Sequence, residues 1–348
     1  MYIYVGLILI VCFLLFLSKC RYIKMKNAFI IITFILIMLV GCRNISMGQF
    51  DTERVYMPYY FRILNNDISY VFTLKDIGFQ LITFVFTRLI GDNFQLYIFL
   101  LTIPYISMVS FMIYKYSKYP TLSFIFFISL QYFEISFTLI RQINAMALLL
   151  VATHFLINEK NKSSLFCIML AGVFHQTSLI YLVIFWLKNF NIKKKYIPFI
   201  LCGSLIFLFL PSPIMNLVYK VLGDDSRFYI YADKGQQKTY IFYLLNLIIW
   251  IICYLGFKFE NSSKDRKLFF WGATVALYLS PLTLILGEMS RVVYYFGIYE
   301  VLIFPDICSR FNYKDRIIFS FCVCIPMILY FLFILGPGSN VIPYIPFN

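Results

Sequence analysis

Charged residues are scarce in this sequence. Of its 348 residues only 13% are charged, whereas 61% are hydrophobic and the mean hydropathy is +0.82. A soluble domain of this length needs a larger polar surface, so the composition favours a polytopic helical membrane protein. Runs such as FIIITFILIMLV at 29–40 are apolar on every side and lack the alternation of a membrane barrel strand, so we expect an all-α bundle.

Metal-binding and nucleotide-binding patterns are also missing. The chain has two histidines and no HExxH motif, and its nine cysteines show no CxxC spacing. Most of the cysteines fall inside apolar runs, where they act as small core residues. No P-loop motif is present either. We therefore expect no metal site, no disulfide framework and no nucleotide cofactor.

The net charge of +14 has an explanation other than nucleic acid. The basic residues are scattered through short loops between apolar spans, the usual place of orientation signals in a membrane protein. No internal repeat or Pro/Gly/Ser-rich linker divides the chain, so residues 1–348 are predicted to form one integral-membrane domain. The first 18 residues are apolar and are followed by Lys and Arg, which predicts a retained first helix with its N-terminus outside.

Two apolar segments are unusual, and ten others have the length of a full crossing. Residues 77–90 are too short to span a bilayer, and residues 163–187 contain the polar break HQTS at 175–178. We predict that neither makes a full crossing, and that the second folds as two short helices that return to one face. The ten predicted spans are 2–18, 28–42, 94–114, 121–138, 139–157, 196–219, 239–257, 268–286, 290–308 and 317–335.

The distribution of Lys and Arg supports this arrangement. It places six basic loops on the inner side of the membrane, and together these loops hold 19 of the 30 Lys and Arg residues. On the outer side it places residues 43–93, with a short amphipathic or re-entrant helix, and residues 220–238. The six inner loops are 19–27, 115–120, 158–162, 188–195, 258–267 and 309–316.

A polar group opens the apolar run LIRQINAMALLL. Arg141 heads this helix on the outer side, helical spacing puts Asn144 on the same face, and Gln142 follows the arginine directly. One explanation is an arginine that reaches the lipid headgroups. The other is a polar cavity in which Arg141 provides charge and the two amides provide neutral hydrogen bonds.

The two histidines have different surroundings. His154 precedes an apolar stretch at an inner helix end and is interpreted as a core residue. His175 lies at the predicted break and is followed directly by Gln176, Thr177 and Ser178. Broken helices at membrane depth mainly line cavities, so we expect His175 to be functional.

Two further arginines lie at outer helix ends. Arg291 follows Glu288 by three residues, so a simple ion pair is one explanation of both. Arg43 closes the second helix and precedes a loop rich in Tyr, Asp and Arg, which includes Asp51 and Tyr56. Such a loop suits an interfacial aromatic belt or the binding of sugar rings. Arginines collected at one face indicate an anionic ligand, because the guanidinium fork matches phosphate oxygens.

Several segments together resemble the EpsG family of Wzy-like polysaccharide polymerases. The most specific part is an RQxxA helix start that is followed, one helix later, by an FHxTSL turn. The matching segments extend over most of the chain. They are GCRN, GQFDTERVYMPYY, KDIGFQLITFVFTRLIGDNFQLYIFL, LIRQINAMALLL, AGVFHQTSLIYL and GEMSRVVYYFGIYEVLIFP.

The resemblance implies a helical bundle similar to lipid-dependent glycosyltransferases of the GT-C type, in the bacterial cytoplasmic membrane with its active site facing the periplasm or cell exterior. The implied enzyme joins oligosaccharide repeat units carried on undecaprenyl diphosphate, in O-antigen, capsule or exopolysaccharide synthesis. The growing glycan leaves its lipid diphosphate and passes to the non-reducing-end hydroxyl of the incoming unit. Membrane lipids, a chain-length regulator and a flippase are the further partners that the resemblance implies.

Glycosyl transfer needs a stabilised diphosphate leaving group and a base for the attacking hydroxyl. Since the sequence contains no metal site, we assign the diphosphate to Arg141 and Arg291, with Arg43 as a helper. His175 is the first candidate base, and Asp51 is the second. The residues predicted to contact sugars are Gln142, Asn144, Gln176, Tyr56 and Tyr294.

Two other functions use related chemistry. A flippase for lipid-linked oligosaccharides also needs a cationic path, but it presents charge along a route between both faces and is expected to show internal repeats. The polar residues here collect toward one face and no repeat is visible, which favours the polymerase. A ligase that transfers finished glycan to another lipid uses nearly the same chemistry, and only the resemblance separates it from a polymerase.

Overall fold

The computed structural model describes residues 1–48, 51–190, 196–209, 240–257, 262–284 and 287–347. The structure is 81% helical, and these ranges contain no β-strand. The all-α membrane fold predicted from the sequence is therefore confirmed. The chain forms two compact units, one of residues 1–179 with 308–348 and one of residues 180–307.

The first unit contains the helices that carry most of the predicted site. Helix α8 (Ile140–Ile157) packs against both α6 (Phe94–Tyr116) and α9 (Asn161–Phe174), and α6 packs against α2 (Met25–Gly41). Near the chain ends, α1 and the last long helix, α16, both pack against α7. The helices of this unit are α1 (Tyr2–Lys19), α2 (Met25–Gly41), α3 (Met57–Leu64), α4 (Ile68–Val71), α5 (Ile77–Ile90), α6 (Phe94–Tyr116), α7 (Pro120–Ser129), α8 (Ile140–Ile157), α9 (Asn161–Phe174), α16 (Tyr313–Tyr330) and α17 (Gly336–Gly338).

The second unit is built around α13, which packs against α12 and α14. Trp250 of α12 donates a hydrogen bond to Thr274 of α13 (2.9 Å), and Gly272 of α13 lies so close to Tyr299 that an added Cβ would collide with its ring. The described helices of this unit are α10 (Val183–Leu187), α11 (Ile197–Phe209), α12 (Tyr240–Gly256), α13 (Lys264–Leu279), α14 (Ser290–Gly297) and α15 (Glu300–Cys308).

Five helical stretches in the described residues are long and apolar enough to cross a membrane. Seven further apolar helices have 10–17 residues. The structure therefore shows a multi-pass membrane protein, as predicted. The five long stretches are Tyr2–Lys19, Phe94–Tyr116, Ile140–Ile157, Lys264–Leu284 and Tyr313–Gly338.

Within the described residues, the predicted spans at 121–138 and 290–308 are each divided into shorter helices. The span predicted at 121–138 ends as an α-helix at Ser129, and a short 3-10 helix follows at Glu134–Phe137. Gln131, between them, has a left-handed backbone (φ 69°), which a continuing helix cannot accommodate. The span predicted at 290–308 is divided into two helices. The first, α14, ends at Gly297, and the second, α15, begins at Glu300.

The segment 43–93 contains more helix than the single short one predicted. Its described residues form a short π-helix at Thr52–Tyr56 and then α3, α4 and α5. Helix α5 has the predicted bounds, and its 14 residues span only about 21 Å, less than the thickness of a bilayer core. The predicted loop at 220–238 and the end of the predicted span at 196–219 lie outside the described residues.

An aromatic cluster attaches segment 43–93 to the main helices. Tyr60 of α3 is fully buried, with its ring centroid 4.7 Å from that of Tyr97 and 5.4 Å from that of Phe94, both on α6. Phe79 of α5 and Ile140 at the start of α8 belong to the same cluster. Burial of large rings contributes most of the packing energy at such a junction, so the short helices have a fixed place against α6 and α8.

Arg43 is enclosed at the end of α2. Its side chain is fully buried, and Nη1 donates to the Val40 carbonyl (2.6 Å) while Nη2 donates to the Phe137 carbonyl (2.9 Å). Its guanidinium also lies 5.4 Å from the ring centre of Phe137, and burial lowers the pKa of Arg43 to about 10. The structure therefore places Arg43 as a clamp between two buried segments, and its predicted role as a diphosphate ligand stays a prediction.

The C-terminal tail covers Arg43. The amide of Phe347 donates to the Cys42 carbonyl (2.8 Å), and the amide of Asn44 donates to the Ile345 carbonyl (2.9 Å). Farther up the tail, the Val341 carbonyl accepts a hydrogen bond from the buried hydroxyl of Tyr4 on α1 (2.8 Å). The tail thus ties the end of α2 to the first helix.

Arg43→Ala is expected to lower the free energy of unfolding by about 2–4 kcal/mol, because it leaves buried carbonyls without donors and creates a cavity. Thermal unfolding of the purified protein in detergent measures this loss. Arg88→Ala is the matched control, since Arg88 also donates to two carbonyls but is exposed, and it should cost less than about 1 kcal/mol. An Arg43→Ala protein with unchanged stability and no activity would return Arg43 to ligand binding.

Candidate functional site

Arg141 forms an ion pair that the sequence did not predict. It is the second residue of α8, and its Nη1 lies 2.8 Å from Oδ2 of Asp76, with only 20% and 11% of the two side chains exposed. Charge-assisted hydrogen bonds of this length are strong, particularly where water is partly excluded. The pair engages one terminal nitrogen and leaves Nη2 and Nε of Arg141 outside this bond.

Asp76 gathers three groups around one carboxylate. Besides Arg141, the backbone amide of Gln176 donates to Oδ1 (3.4 Å), and Nδ1 of His175 lies 3.6 Å from Oδ2. Asp76 precedes α5 in a left-handed conformation (φ 57°) and makes no capping hydrogen bond to its own helix. Its side chain therefore serves α8 and the turn after α9 instead of its own helix.

His175 lies at the break predicted from the sequence. Helix α9 ends at Phe174, and His175 follows in an extended conformation, with its amide donating to the Ala171 carbonyl (2.8 Å). Its Nδ1 is buried and has no hydrogen-bond partner among the described residues, and Oδ2 of Asp76 lies 3.6 Å from it. Because Nδ1 faces Asp76, Nε2 is the ring nitrogen available for other chemistry.

A close helix approach brings Asp76 to His175. Gly78 of α5 faces Val173 of α9, and a Cβ at position 78 would lie 2.8 Å from Val173 Cγ1 and 3.1 Å from its carbonyl oxygen. Only glycine allows the two backbones to approach this closely. The contact between α5 and α9 thus sets the distance between the carboxylate and the imidazole.

The surroundings of Asp76 favour its charged form. Burial alone raises its pKa, but His175, Arg141 and the Gln176 amide together outweigh burial and bring the pKa below its usual value. The carboxylate is therefore ionised at neutral pH. It balances the charge of Arg141, and it can stabilise a proton on His175.

A narrow cleft adjoins the ion pair. Tyr56 forms part of its wall, and the backbone amide of Arg141 donates to the Tyr56 hydroxyl (3.4 Å) while the guanidinium lies 5.7 Å from the ring centre. The cleft is lined by Val55, Tyr56, Tyr59, Phe79, Gln80, Thr83, Tyr97 and Arg141.

Of the residues predicted to form the site, Arg141, His175, Gln176 and Tyr56 are brought together in this structure. Gln176 contributes its backbone amide to Asp76, and its side chain is exposed. Asp51 directly precedes the π-helix that ends at Tyr56. Its predicted role as a base stays a prediction.

The two amides predicted on α8 are buried. Asn144 is 6% exposed, and its Nδ2 donates to the Leu101 carbonyl (3.1 Å) and the Ile140 carbonyl (2.8 Å), which ties α8 to α6. Gln142 is 2% exposed. In this structure Asn144 therefore serves helix packing, because its donors are already used by carbonyl groups.

Arg291 and Tyr294 belong to the second unit. Both lie on the short helix α14, where Arg291 is partly exposed and Tyr294 is buried with its ring against Phe242 of α12 (6.3 Å between centroids). Their predicted roles in binding diphosphate and sugar stay predictions. His154, interpreted as a core residue, accepts or donates a hydrogen bond with the Tyr116 hydroxyl through Nδ1 (2.7 Å).

Asp76 is the residue that the sequence analysis missed. The sequence does contain a sign of its importance. Asp76 is an acidic residue directly before Ile77, where a helix too short to cross the membrane begins. A carboxylate at such a junction in an apolar chain needs a cation nearby, so the sequence indicates that Asp76 has a partner, and the structure shows that the partner is Arg141. Among the described residues, no group of three or more His, Cys, Asp or Glu side chains is placed to hold a metal ion.

Asp76→Asn is expected to reduce activity by at least about 100-fold, because the amide cannot balance Arg141 or stabilise a protonated His175. It should also change the pH dependence of stability. Since folding lowers the pKa of Asp76, the carboxylate stabilises the protein at neutral pH and this contribution disappears as the pH falls through the folded-state pKa. Thermal unfolding measured from neutral to acidic pH should show this acid-dependent loss in the wild type and not in Asp76→Asn.

Gly78→Ala is expected to reduce activity by about 10- to 100-fold with the protein still folded, because the added methyl separates α5 from α9 and lengthens the Asp76–His175 distance. Activity per mole of correctly folded protein measures the effect. Gly6→Ala is the control, since nothing lies within 4 Å of its added Cβ. Equal activities of the two variants would show that the α5–α9 contact does not position the site.

A comparison with protein families identifies the class of this chain. The EpsG family profile matches residues 26–346, which is nearly the whole sequence. No curated protein and no solved structure matches at a significant level. EpsG-like proteins are Wzy-type polymerases, so the resemblance noted in the sequence is confirmed. The chain, a multi-pass helical membrane protein with a paired arginine, aspartate and histidine in its first unit, belongs to the EpsG family.

Proposed function

We propose that this protein is a metal-independent glycosyltransferase that joins oligosaccharide repeat units carried on undecaprenyl diphosphate. The reaction takes place at the outer face of the cytoplasmic membrane, in O-antigen, capsule or exopolysaccharide synthesis. Membership of the EpsG family supports the polymerase class. The observation that supports the mechanism is the Arg141–Asp76–His175 cluster, which puts an anion-binding group and a candidate base in one place.

The reaction exchanges one bond at an anomeric carbon. The bond from the growing glycan to its diphosphate oxygen breaks, and a bond forms to a hydroxyl oxygen at the non-reducing end of the incoming unit. The hydroxyl proton passes to a base, and the bonding electrons leave with undecaprenyl diphosphate. Catalysis therefore requires a cation at the leaving group and a proton acceptor at the attacking oxygen.

Arg141 supplies the cation. Its Nη1 is held by Asp76, which orients the guanidinium, and Nη2 and Nε lie outside that bond. These donors suit two oxygens of a phosphate, and the charge persists at any physiological pH. Arg291 of the second unit is the further diphosphate ligand that we propose from the sequence.

His175 supplies the base. With Nδ1 turned toward the Asp76 carboxylate, a proton on Nδ1 leaves Nε2 as the acceptor for the hydroxyl proton. The carboxylate then stabilises the imidazolium that forms, as the aspartate does in other Asp–His pairs. Asp51 is the alternative base, and Tyr56, Gln176 and Tyr294 are the proposed sugar contacts.

A polymerisation assay tests this proposal. Purified protein in detergent, given the undecaprenyl diphosphate-linked repeat unit and a chelator, should produce a ladder of longer lipid-linked glycans on a gel. Arg141→Ala and His175→Ala should each lower the rate by at least about 100-fold. Arg141→Lys should restore only part of the activity, because a point charge cannot replace the planar fork.

Arg88→Ala is the matched control for this assay, since Arg88 lies in the same unit, donates to two backbone carbonyls and lies over the Phe84 ring. It should keep a normal ladder. Normal polymerisation by Arg141→Ala and His175→Ala would overturn the assigned site. No ladder from folded wild-type protein supplied with its native repeat unit would overturn the polymerase mechanism and favour transport, which a flipping assay in liposomes measures.

A further inference from the structure

The cleft beside Arg141 contains a buried acceptor without a donor. Gln80 lies on α5 with only 4% of its surface exposed, and its Nε2 donates to the Lys75 carbonyl (3.4 Å). This bond fixes the orientation of the amide, so the oxygen faces away from Lys75. Among the described residues, Oε1 has no hydrogen-bond partner. A buried acceptor in this state costs stability, and a ligand that brings a donor removes the cost.

The hydroxyl groups of Thr83 and Tyr97 cannot supply that donor. Thr83 uses its single proton for the Phe79 carbonyl (2.9 Å), so the 2.7 Å hydrogen bond between Thr83 and Tyr97 is donated by Tyr97. Both hydroxyl protons are therefore occupied, and only lone pairs remain. Among the lining residues, Gln80 Oε1 and the hydroxyl groups of Thr83 and Tyr97 therefore offer acceptors, while Arg141 offers donors and positive charge.

This distribution fits one part of a lipid-linked glycan. A sugar bonded to a diphosphate carries N–H or O–H donors on its ring and an anion one bond from its anomeric carbon. If Arg141 binds the diphosphate, the sugar attached to that diphosphate lies next to the guanidinium. Arg141 itself lines the cleft. The rings of Tyr56, Phe79 and Tyr97 provide apolar surface for the C–H faces of the sugar.

We propose that the cleft binds the sugar directly attached to the lipid diphosphate, and that Gln80 Oε1 accepts a hydrogen bond from an N–H or O–H group of that sugar. This inference rests on the proposed function, because it places the diphosphate on Arg141. It makes Gln80 a specificity residue for the first sugar of the unit. Such sites discriminate well, since a substrate without the donor leaves the buried acceptor unpaired.

Binding of three lipids to the full-length protein in detergent tests the proposal. The probes are undecaprenyl diphosphate alone, the same lipid with one N-acetylhexosamine, and the same lipid with one hexose. A sugar with the required donor should bind the wild type about tenfold more tightly than the bare lipid diphosphate. Gln80→Leu should reduce that gain to less than about twofold and leave binding of the bare lipid unchanged.

Thr87→Val is the matched control. Thr87 lies on α5 one turn beyond Thr83, is buried, and donates to the Phe84 carbonyl, but it does not line the cleft. It should keep the full gain from the sugar.

The outcomes separate the two proposals. A gain in affinity with the N-acetylhexosamine alone identifies an acetamido N–H as the donor, and a gain with both sugars identifies a ring hydroxyl. If either gain is lost in Gln80→Leu, the result supports the cleft as the sugar site. If the bare lipid binds in an Arg141-dependent way and the sugar adds nothing, or its gain survives Gln80→Leu, the cleft proposal is wrong and the proposed function stands. If Arg141→Ala does not weaken binding of the bare lipid, both are wrong.

Discussion

The first unit depends on a single constraint, which is that a charge in an apolar chain needs a partner. Arg141 begins a membrane-length helix, and Asp76 at the start of α5 provides the opposite charge at 2.8 Å. The same carboxylate faces His175 and accepts from the Gln176 amide. Three elements that are distant in sequence therefore meet at one carboxylate. The glycine contact between α5 and α9 and the aromatic cluster around Tyr60 keep them there.

The Arg141–Asp76 ion pair also explains why two charged side chains can be partly buried here in the absence of a ligand. Arginine and aspartate together are close to neutral, so neither carries the full desolvation cost of an isolated ion. The carboxylate that balances Arg141 also faces His175, so the charged groups of the site share one partner.

Polar residues in this chain have two different uses, and packing distinguishes them. Arg43 and Asn144 direct their donors at backbone carbonyls, and both are almost completely enclosed. Arg141 and His175 keep part of their surface exposed and share an ionised partner. Donors that already reach backbone carbonyls serve stability, whereas donors with remaining capacity beside a cleft are those that a substrate can use.

The sequence by itself determined the class of the protein. Scarce charge and apolar runs predict an all-α membrane fold, because a lipid environment accepts only helices with satisfied backbones or closed barrels. Polar residues in those runs indicated Arg141 and His175, and the break at 175 followed from local composition. Tertiary structure alone decided the role of Asp76, the enclosure of Arg43 and the unpaired oxygen of Gln80. Each depends on contacts between segments far apart in the chain, and local pattern carries no information about such distances.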